Sequence, residues 1–411
     1  MERTTETFYK LIKSEEEQPA PCPRSGHCMA KNKNHVYIFG GFDEPGKTFR
    51  DLWRYNTATK TWCKMPDLLD EAPQTSVSSS MVLVNNNLFV FGGTSFPFSK
   101  QNSNELFLYD LTKQRWLNFS QALTTNSRHL QSQNHNIVLK ACGCKEIFDS
   151  KPIPKYGQSM AVTPDHRIFI YSGTLGTQYT DELHIFDLET FRWVEYKFCL
   201  IHGLDSQGRY KSEAIVNEDR IYLFGGSNSE HYLSFDTIDT FNLVTHSWEN
   251  VTTISTELDK DKQYVYPEPR KAHSCVKHGD NIYLMGGMCS IMINGGKTTN
   301  RLFNDVWILS LKIKAWSKIS ENAFGNGRYF HTSAITAEGK ILTFGGVSYN
   351  RYQRPMRLQD QCTRHIVVPS LRHITWSTVV GRLQRNGKFN QQTFKDLRFP
   401  KDFLPLWTGL N

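Results

Sequence analysis

One unit recurs along this chain and limits what it can fold into more than any other feature. It is first complete between Arg24 and Trp62: an Arg-x-x-His turn, an apolar run closing in two glycines (Val36 to Gly41), the segment Asp51-Leu52-Trp53-Arg54-Tyr55, and a Trp near its end. The apolar run and double glycine return at Leu88 to Gly93, Ile221 to Gly226, Ile282 to Gly287 and Ile341 to Gly346. A worn copy, Ile168 to Gly173, has Ser172 in place of the first glycine, which makes six. Segments such as Glu105-Leu106-Phe107, Asp181-Glu182-Leu183-His184 and Asp305-Val306-Trp307 follow, and then Trp116, Trp193, Trp248 or Trp316. Glycine admits positive φ and close backbone approach where a strand leaves its sheet, and each Trp supplies a large apolar plate. A period of about 50 residues built from short strands is the signature of a β-propeller.

Six units of roughly 50 residues occupy about 300 of the 411 positions, so the pattern predicts one propeller with insertions and a tail. Nine cysteines is an odd number, scattered through strands (Cys28, Cys275) and loops, and Met1-Glu2-Arg3-Thr4 opens no apolar signal core. Reduced thiols in the cytoplasm or nucleus are therefore expected. With a mean hydropathy of −0.49 and no apolar run near ~18 residues, no membrane span is expected. The net charge of +8 is local. From Arg351 to Asn411 there are 11 Lys and Arg against 3 Asp and Glu, and the remainder holds 37 of each sign. A propeller that is neutral overall argues against a surface that coats nucleic acid.

Taken in order, residues 1–22 form an N-terminal segment, 23–368 the six-bladed propeller and 369–411 a tail. Glu6 to Ile12 looks like the last strand of a blade placed ahead of the first; it would complete blade six and remove exposed sheet edges, the alternative being an unstructured leader. Residues 121–150 read as an insertion loop, polar and without strand alternation. Its His129, His135, Cys142 and Cys144 match the spacing of no common structural zinc site, so no metal and no cofactor are expected. A second insertion spans Glu257 to Tyr266, and Asn294 to Asn300 reads as a Gly/Thr/Asn-rich loop. The blades open with turns bearing Arg24, Tyr156, Arg209-Tyr210, Arg270 and Arg328-Tyr329, which a propeller brings to one end of the ring. Singly, such arginines suit hydrogen bonds between blades; together they suit a basic, aromatic-walled concavity. Blade six departs from the others: a basic loop (Arg351 to Arg364), a strand at His365 to Val368, Pro369, then apolar residues at helical spacing through Leu383. Ser370 stands where a helix N-cap belongs.

The repeats resemble kelch repeats, and the tail carries a second resemblance. Ser370-Leu371-x-x-x-Thr375-x-x-x-Val379 is similar to the BC-box through which ubiquitin-ligase substrate receptors bind elongin C, with Thr375 at a position usually held by Cys. Leu371, Thr375 and Val379 share one helical face, as helix-in-groove recognition requires. Phe399-Pro400-x-x-Phe403 resembles the cullin-2 box, while Leu404-Pro405-Leu406 also fits a cullin-5 reading.

With Arg24-Ser25-Gly26-His27, Phe91-Gly92-Gly93-Thr94, Pro97-Phe98, Tyr156-Gly157-Gln158 and Val367-Val368-Pro369-Ser370-Leu371, these features resemble the kelch-repeat substrate receptors of cullin-RING ubiquitin ligases. That resemblance implies a non-catalytic receptor that binds elongins B and C, cullin-2 (cullin-5 second) with its RING subunit, and substrates ending in a C-terminal glycine. On that reading the mouth captures a carboxylate with two of Arg24, Arg50, Arg209, Arg270, Arg301 and Arg328, and Tyr156, Tyr210 and Tyr329 form its walls. A kelch scaffold that binds actin or a signalling protein is the rival. A kelch-fold copper oxidase would need a Tyr/His copper set and an oxidising compartment, and no catalytic constellation is evident.

Overall fold

The computed structural model describes residues 9–10, 19–66, 71–120, 137–139, 144–198, 208–293, 297–336, 339–366 and 371–385. It is a six-bladed β-propeller. Blade one is the antiparallel sheet Cys28–Lys31, His35–Phe39, Leu52–Asn56 and Thr61–Lys64, with the apolar second strand buried throughout. Blades two, four and five repeat that order, and blade five gains Ile254–Ser255, which runs parallel to Ala315 and Trp316 at its edge. In blade six, Thr332–Ile335, Lys340–Phe344 and Gln361–His365 are joined by Tyr9–Lys10, where Tyr9 lies opposite Thr363 and Lys10 opposite Cys362. The two ends of the chain's sheet structure thus meet in one blade. Deleting residues 1–14 leaves Gln361–His365 as an open edge, so the truncated protein is expected to melt lower and aggregate faster in a thermal scan. A melting curve identical to that of the full chain would contradict this closure.

No blade has a core of its own. The apolar clusters lie between neighbours: Phe39 and Leu52 of blade one pack with Met81, Val90 and Trp116 of blade two, and the series continues around the ring to Val36 and Tyr55 against Ala334 and Leu342. The Trp plates carry this packing. Trp116, Trp193, Trp248 and Trp316 each rest on an aromatic ring of the preceding blade (Phe39, Phe91, Tyr171 and Phe224), at centroid distances of 4.9, 5.8, 5.0 and 6.2 Å. Trp62 closes the circle on Phe344 at 5.4 Å. A unit that buries its face only against a neighbour must be repeated until the array meets itself.

The double glycine has a specific cause. A Cβ at Gly345 would lie 2.6 Å from the Arg24 carbonyl oxygen, while the next amide, Gly346, donates to that same oxygen at 2.9 Å. In the worn copy, Ser172 is tolerated because its hydroxyl donates to the corresponding carbonyl of Arg209 at 2.8 Å.

Three local expectations are corrected. The 121–150 insertion carries the strands Ile137–Leu139 and Cys144–Phe148, and the second pairs with Arg192–Phe198 to give blade three six strands. Its alternation was hidden because a buried position holds Glu146, which lies 3.1 Å from His246 Nδ1 of blade four. The third strand of blade six is Gln361–His365, upstream of the expected His365 to Val368, of which Val367 and Val368 lie outside the described residues; the buried Gln361, Cys362 and Thr363 do not read as an apolar run. Within Asn294 to Asn300, residues from Lys297 onward belong to the strand Lys297–Leu302, which pairs with Met288–Ile293. Among the described residues, no helix is long and apolar enough to cross a membrane, and no His/Cys/Asp/Glu cluster could hold a metal ion. Of the four residues weighed for zinc, His129, His135 and Cys142 lie outside the described residues and Cys144 sits in the added strand.

Candidate binding site

The six blade-opening turns converge at one end of the ring, where their backbones form a closed circle of hydrogen bonds. Gly26 N–H donates to Phe330, Phe330 to Ala272, Ala272 to Lys211, Lys211 to Gly157, Gly157 to Ser78 and Ser78 back to Gly26, over 2.7–3.1 Å. Each of the six residues has a φ between 52° and 67°. Four of them are not glycine, and left-handed backbone costs such residues roughly 1–2 kcal/mol each, offset here by satisfying the N–H and the C=O of every residue in the circle.

Above this circle opens a cavity of about 220 Å³. Its walls include Tyr156, Tyr210, Tyr329, Phe330, Phe42 and Phe98, together with one cation, Arg357. Tyr210 lies over the ring backbone: a Cβ on Gly157 would fall 2.1 Å from its Cε2, and its hydroxyl interacts with Ser78. Tyr156 meets Tyr210 edge-on at 5.7 Å and donates to or accepts from Ser99 Oγ at 2.8 Å. Burial raises the phenol pKa of Tyr210 and pushes that of Tyr329 up to about 12, so both walls are neutral hydrogen-bonding surfaces.

The three tyrosines expected at the mouth are therefore brought together, but the arginines are not. Arg24 is buried and forks Asp51 (2.7 and 3.1 Å), Arg270 forks Asp305 (2.5 and 2.9 Å) and Arg328 forks Asp360 (3.0 and 3.0 Å). Arg209 pairs with Asp239 through Nη2. Asp51, Asp305 and Asp360 immediately precede the third strands of their own blades, and Arg24, Arg270 and Arg328 also bond the carbonyl of their blade's first double-glycine residue. A buried guanidinium that already holds a carboxylate is not open to a second, so these four serve the blades. Arg50 bonds the Ala72 and Pro73 carbonyls, and Arg301 pairs with Glu268 at 2.6 Å on the outer rim.

Arg357 was missed by sequence reasoning. It lies in the basic loop of blade six, on the strand Pro355–Arg357 that pairs with Val347–Tyr349 and folds over the mouth. Its guanidinium stands 5.1 Å over the Phe42 ring and one Nη bonds Glu44, while its buried Nε has no hydrogen-bond partner among the described residues. A buried charged donor left unpaired in a cavity wall favours a ligand that brings an acceptor. The available signal was that Arg357, unlike Arg24, Arg270 and Arg328, lies after its double glycine rather than before it.

At the opposite end of the ring, the helix Leu371–Arg385 docks on the turn between the third and fourth strands of blade one. Trp376 Nε1 donates to the Ala58 carbonyl at 3.1 Å, and Trp376 and Val380 are buried. Thr375, Thr378 and Arg382 are exposed on the other side and Val379 is half-buried; Leu371 occupies the same i, i+4 row as Thr375 and Val379. Ser370, Phe399, Pro400 and Phe403 lie outside the described residues.

Among protein families, the KLHDC2/KLHL20/DRC7 Kelch-repeats domain matches residues 5–145 and 144–287, and the Kelch motif matches residues 269–322. The chain is similar to Kelch domain-containing protein 10 from Homo sapiens, with 32% identity over 372 residues that cover 88% of this chain and 74% of that protein. The Kelch domain-containing protein 10 homolog from Drosophila melanogaster is 26% identical over 404 residues, 93% of this chain and 61% of that protein. Kelch domain-containing protein 1 from Homo sapiens shares 23% over 358 residues, 79% of this chain and 75% of that protein.

Proposed function

Given that the chain belongs to the KLHDC2/KLHL20/DRC7 kelch-repeat family, we propose that it is the substrate-recognition subunit of a cullin-2 ubiquitin ligase. In this role it holds the C-terminus of a target protein in the mouth cavity and elongins B and C on its helix. The observation that carries this reading is the cavity itself: aromatic walls around one arginine whose buried Nε is unpaired. A terminal carboxylate is a planar anion that completes such a guanidinium, and the small, ring-lined space favours a last residue without a side chain, hence glycine. The carboxylate role passes from the six arginines of the turns and rim to Arg357.

The second recognition surface lies at the far end of the propeller. Trp376 and Val380 anchor the helix, and the i, i+4 row of Leu371, Thr375 and Val379 is assigned to the groove of elongin C, where burying a leucine contributes ~1.5–3 kcal/mol. Substrate and ligase then approach from opposite ends without competing. The chain itself is a non-catalytic adaptor; the recruited RING subunit and its conjugating enzyme transfer ubiquitin, with cullin contact assigned to Phe399, Pro400 and Phe403.

A crossed experiment tests both halves. Leu371→Arg is expected to abolish co-purification of elongins B and C yet leave the affinity for a peptide ending in glycine unchanged, because a charge in an apolar groove is costly to desolvate. Arg357→Ala is expected to do the reverse, weakening that peptide by about tenfold to a hundredfold, the worth of one charge-assisted hydrogen bond. Elongins retained by Leu371→Arg would remove the ligase assignment, and unchanged peptide affinity in Arg357→Ala would remove the cavity as the binding site.

A further inference from the structure

The mouth is walled on one side only. On blade five the hairpin Met288–Ile293 with Lys297–Leu302 has six residue pairs, and on blade six Val347–Tyr349 pairs with Pro355–Arg357. The equivalent hairpin of blade one has two pairs, and those of blades two, three and four shrink to the single bridges Thr94 with Asn102, Thr174 with Tyr179 and Ser227 with Tyr232. The two tall hairpins stand together, with Asn300 Nδ2 donating to the Tyr349 hydroxyl at 3.5 Å.

Their charge is one-signed. Residues 288–302 and 347–357 contain five Lys or Arg and no Asp or Glu, whereas loops 174–182 of blade three and 227–236 of blade four, the latter joined to the blade-five hairpin through Tyr232 and Ser290, contain four Asp or Glu and no Lys or Arg, Glu182 being paired with Lys155. Arg301 and Arg357 are paired with Glu268 and Glu44. Arg351 and Arg354 are exposed and have no carboxylate partner among the described residues, Arg351 standing 4.7 Å over the Tyr352 ring. Exposed apolar side chains sit beside them: Tyr352 is 66% exposed, Met292 79% and Met356 43%.

Resting on the reading of the cavity given above, we propose that this wall recognises an acidic stretch, interspersed with apolar residues, just upstream of the C-terminus held at Arg357. A chain leaving the cavity meets a basic, apolar face at blades five and six, while the exposed carboxylates Asp181, Glu230 and Asp236 lie on blades three and four. Acidic side chains draw it onto blades five and six and away from blades three and four. A six-residue strand rises about 20 Å, which an extended peptide spans with about six residues, so the acidic positions fall within roughly six to eight residues of the end.

The test uses twelve-residue fluorescent peptides ending in glycine, with the upstream positions either Asp/Glu/Leu or the neutral Asn/Gln/Leu, each as free acid and as amide. Binding to the full chain is read by anisotropy at low and high salt. With free ends, the acidic peptide is expected to bind about fivefold tighter than the neutral one at low salt, and most of that margin should vanish at high salt. Arg351→Gln with Arg354→Gln should bring the two peptides to parity, and Arg351→Glu with Arg354→Glu should invert the preference, the neutral peptide binding as before in both. Equal binding of acidic and neutral peptides, or an acidic preference that survives charge reversal, overturns the wall. Equal binding of acids and amides overturns capture of the chain end while leaving the acidic preference legible, so the two failures are distinct. Failure of every peptide to bind overturns both.

Discussion

Lowering the pH from 7.5 to 5.5 is expected to depress the thermal midpoint steeply through buried histidines, offset in part by Glu213, whose carboxyl burial pushes up to about 7 and which takes up a proton in the folded chain. His27, His273 and His331 close the Arg-x-x-His turns and are buried between blades: a Cβ on Gly345, Gly225 or Gly286 would fall 3.0, 2.8 or 2.8 Å from the respective imidazole. Burial, and then the adjacent Arg24 or Arg270, pushes His27 and His273 down to about 3; burial and Arg328 push His331 well below the usual imidazole range. Burial also holds His184 at about 2 and the less buried His35 at about 4. The backbone groups of Phe344, Phe224 and Met285 beside His27, His273 and His331 favour the charged form, but burial and the adjacent arginines outweigh them.

The sign follows from linkage. An unfolded histidine takes up a proton near pH 6.5, and the folded chain refuses it until far lower pH. Stability is therefore complete above about 6.5 and is lost as pH falls, by about 1.4 kcal/mol per histidine per pH unit. Several such groups acting together rival the ~5–15 kcal/mol that holds a typical domain folded. Asp51 and Asp305, whose arginine partners hold them below the usual carboxylate range, contribute only at more acid pH. Calorimetry at pH 7.5, 6.5 and 5.5 reads the effect. A midpoint that does not move over that interval would mean these imidazoles are protonated in the folded protein.

Gly157→Ala is expected to destabilise the propeller by about 2–5 kcal/mol, combining the ~1–2 kcal/mol of left-handed backbone with ~1–3 kcal/mol of overpacking. With φ at +67° and Tyr210 Cε2 and Cδ2 at 2.1 and 2.3 Å from the new methyl group, the Tyr210 ring must leave its place across the mouth. Two comparisons separate the terms. Gly279 has φ +57° with nothing within 4 Å of a Cβ, so Gly279→Ala isolates the backbone cost. Tyr210→Ala combined with Gly157→Ala removes the clash but not the backbone cost, and the pair should be strongly non-additive. Because the ring also walls the cavity, Gly157→Ala should weaken peptide binding while Gly279→Ala leaves it intact. Equal destabilisation by the two alanine substitutions would show that Tyr210 does not lie over the turn.

The repeat itself was legible in the chain because its parts are local. Val36 to Gly41 and its five echoes mark the buried second strands and the points where the next blade's carbonyl comes too close for a Cβ, and the spaced tryptophans mark the plates between blades. From these the six-bladed ring follows without coordinates. The site was only half legible. Tyr156, Tyr210 and Tyr329 do reach one cavity, since their turns are bound to converge in a closed ring. The roles of the arginines could not be read, because Arg24 and Arg357 are the same residue until their partners are known. The partner of Arg24 is Asp51, 27 positions on and in the same blade, whereas Arg357 pairs with Glu44, 313 positions away and across the ring closure. Likewise Glu146 looked like loop until His246 of the next blade was found beside it. Which charges are spent within the fold and which are left for a ligand is a property of pairs, and the sequence orders residues along a line, not by their distances in space.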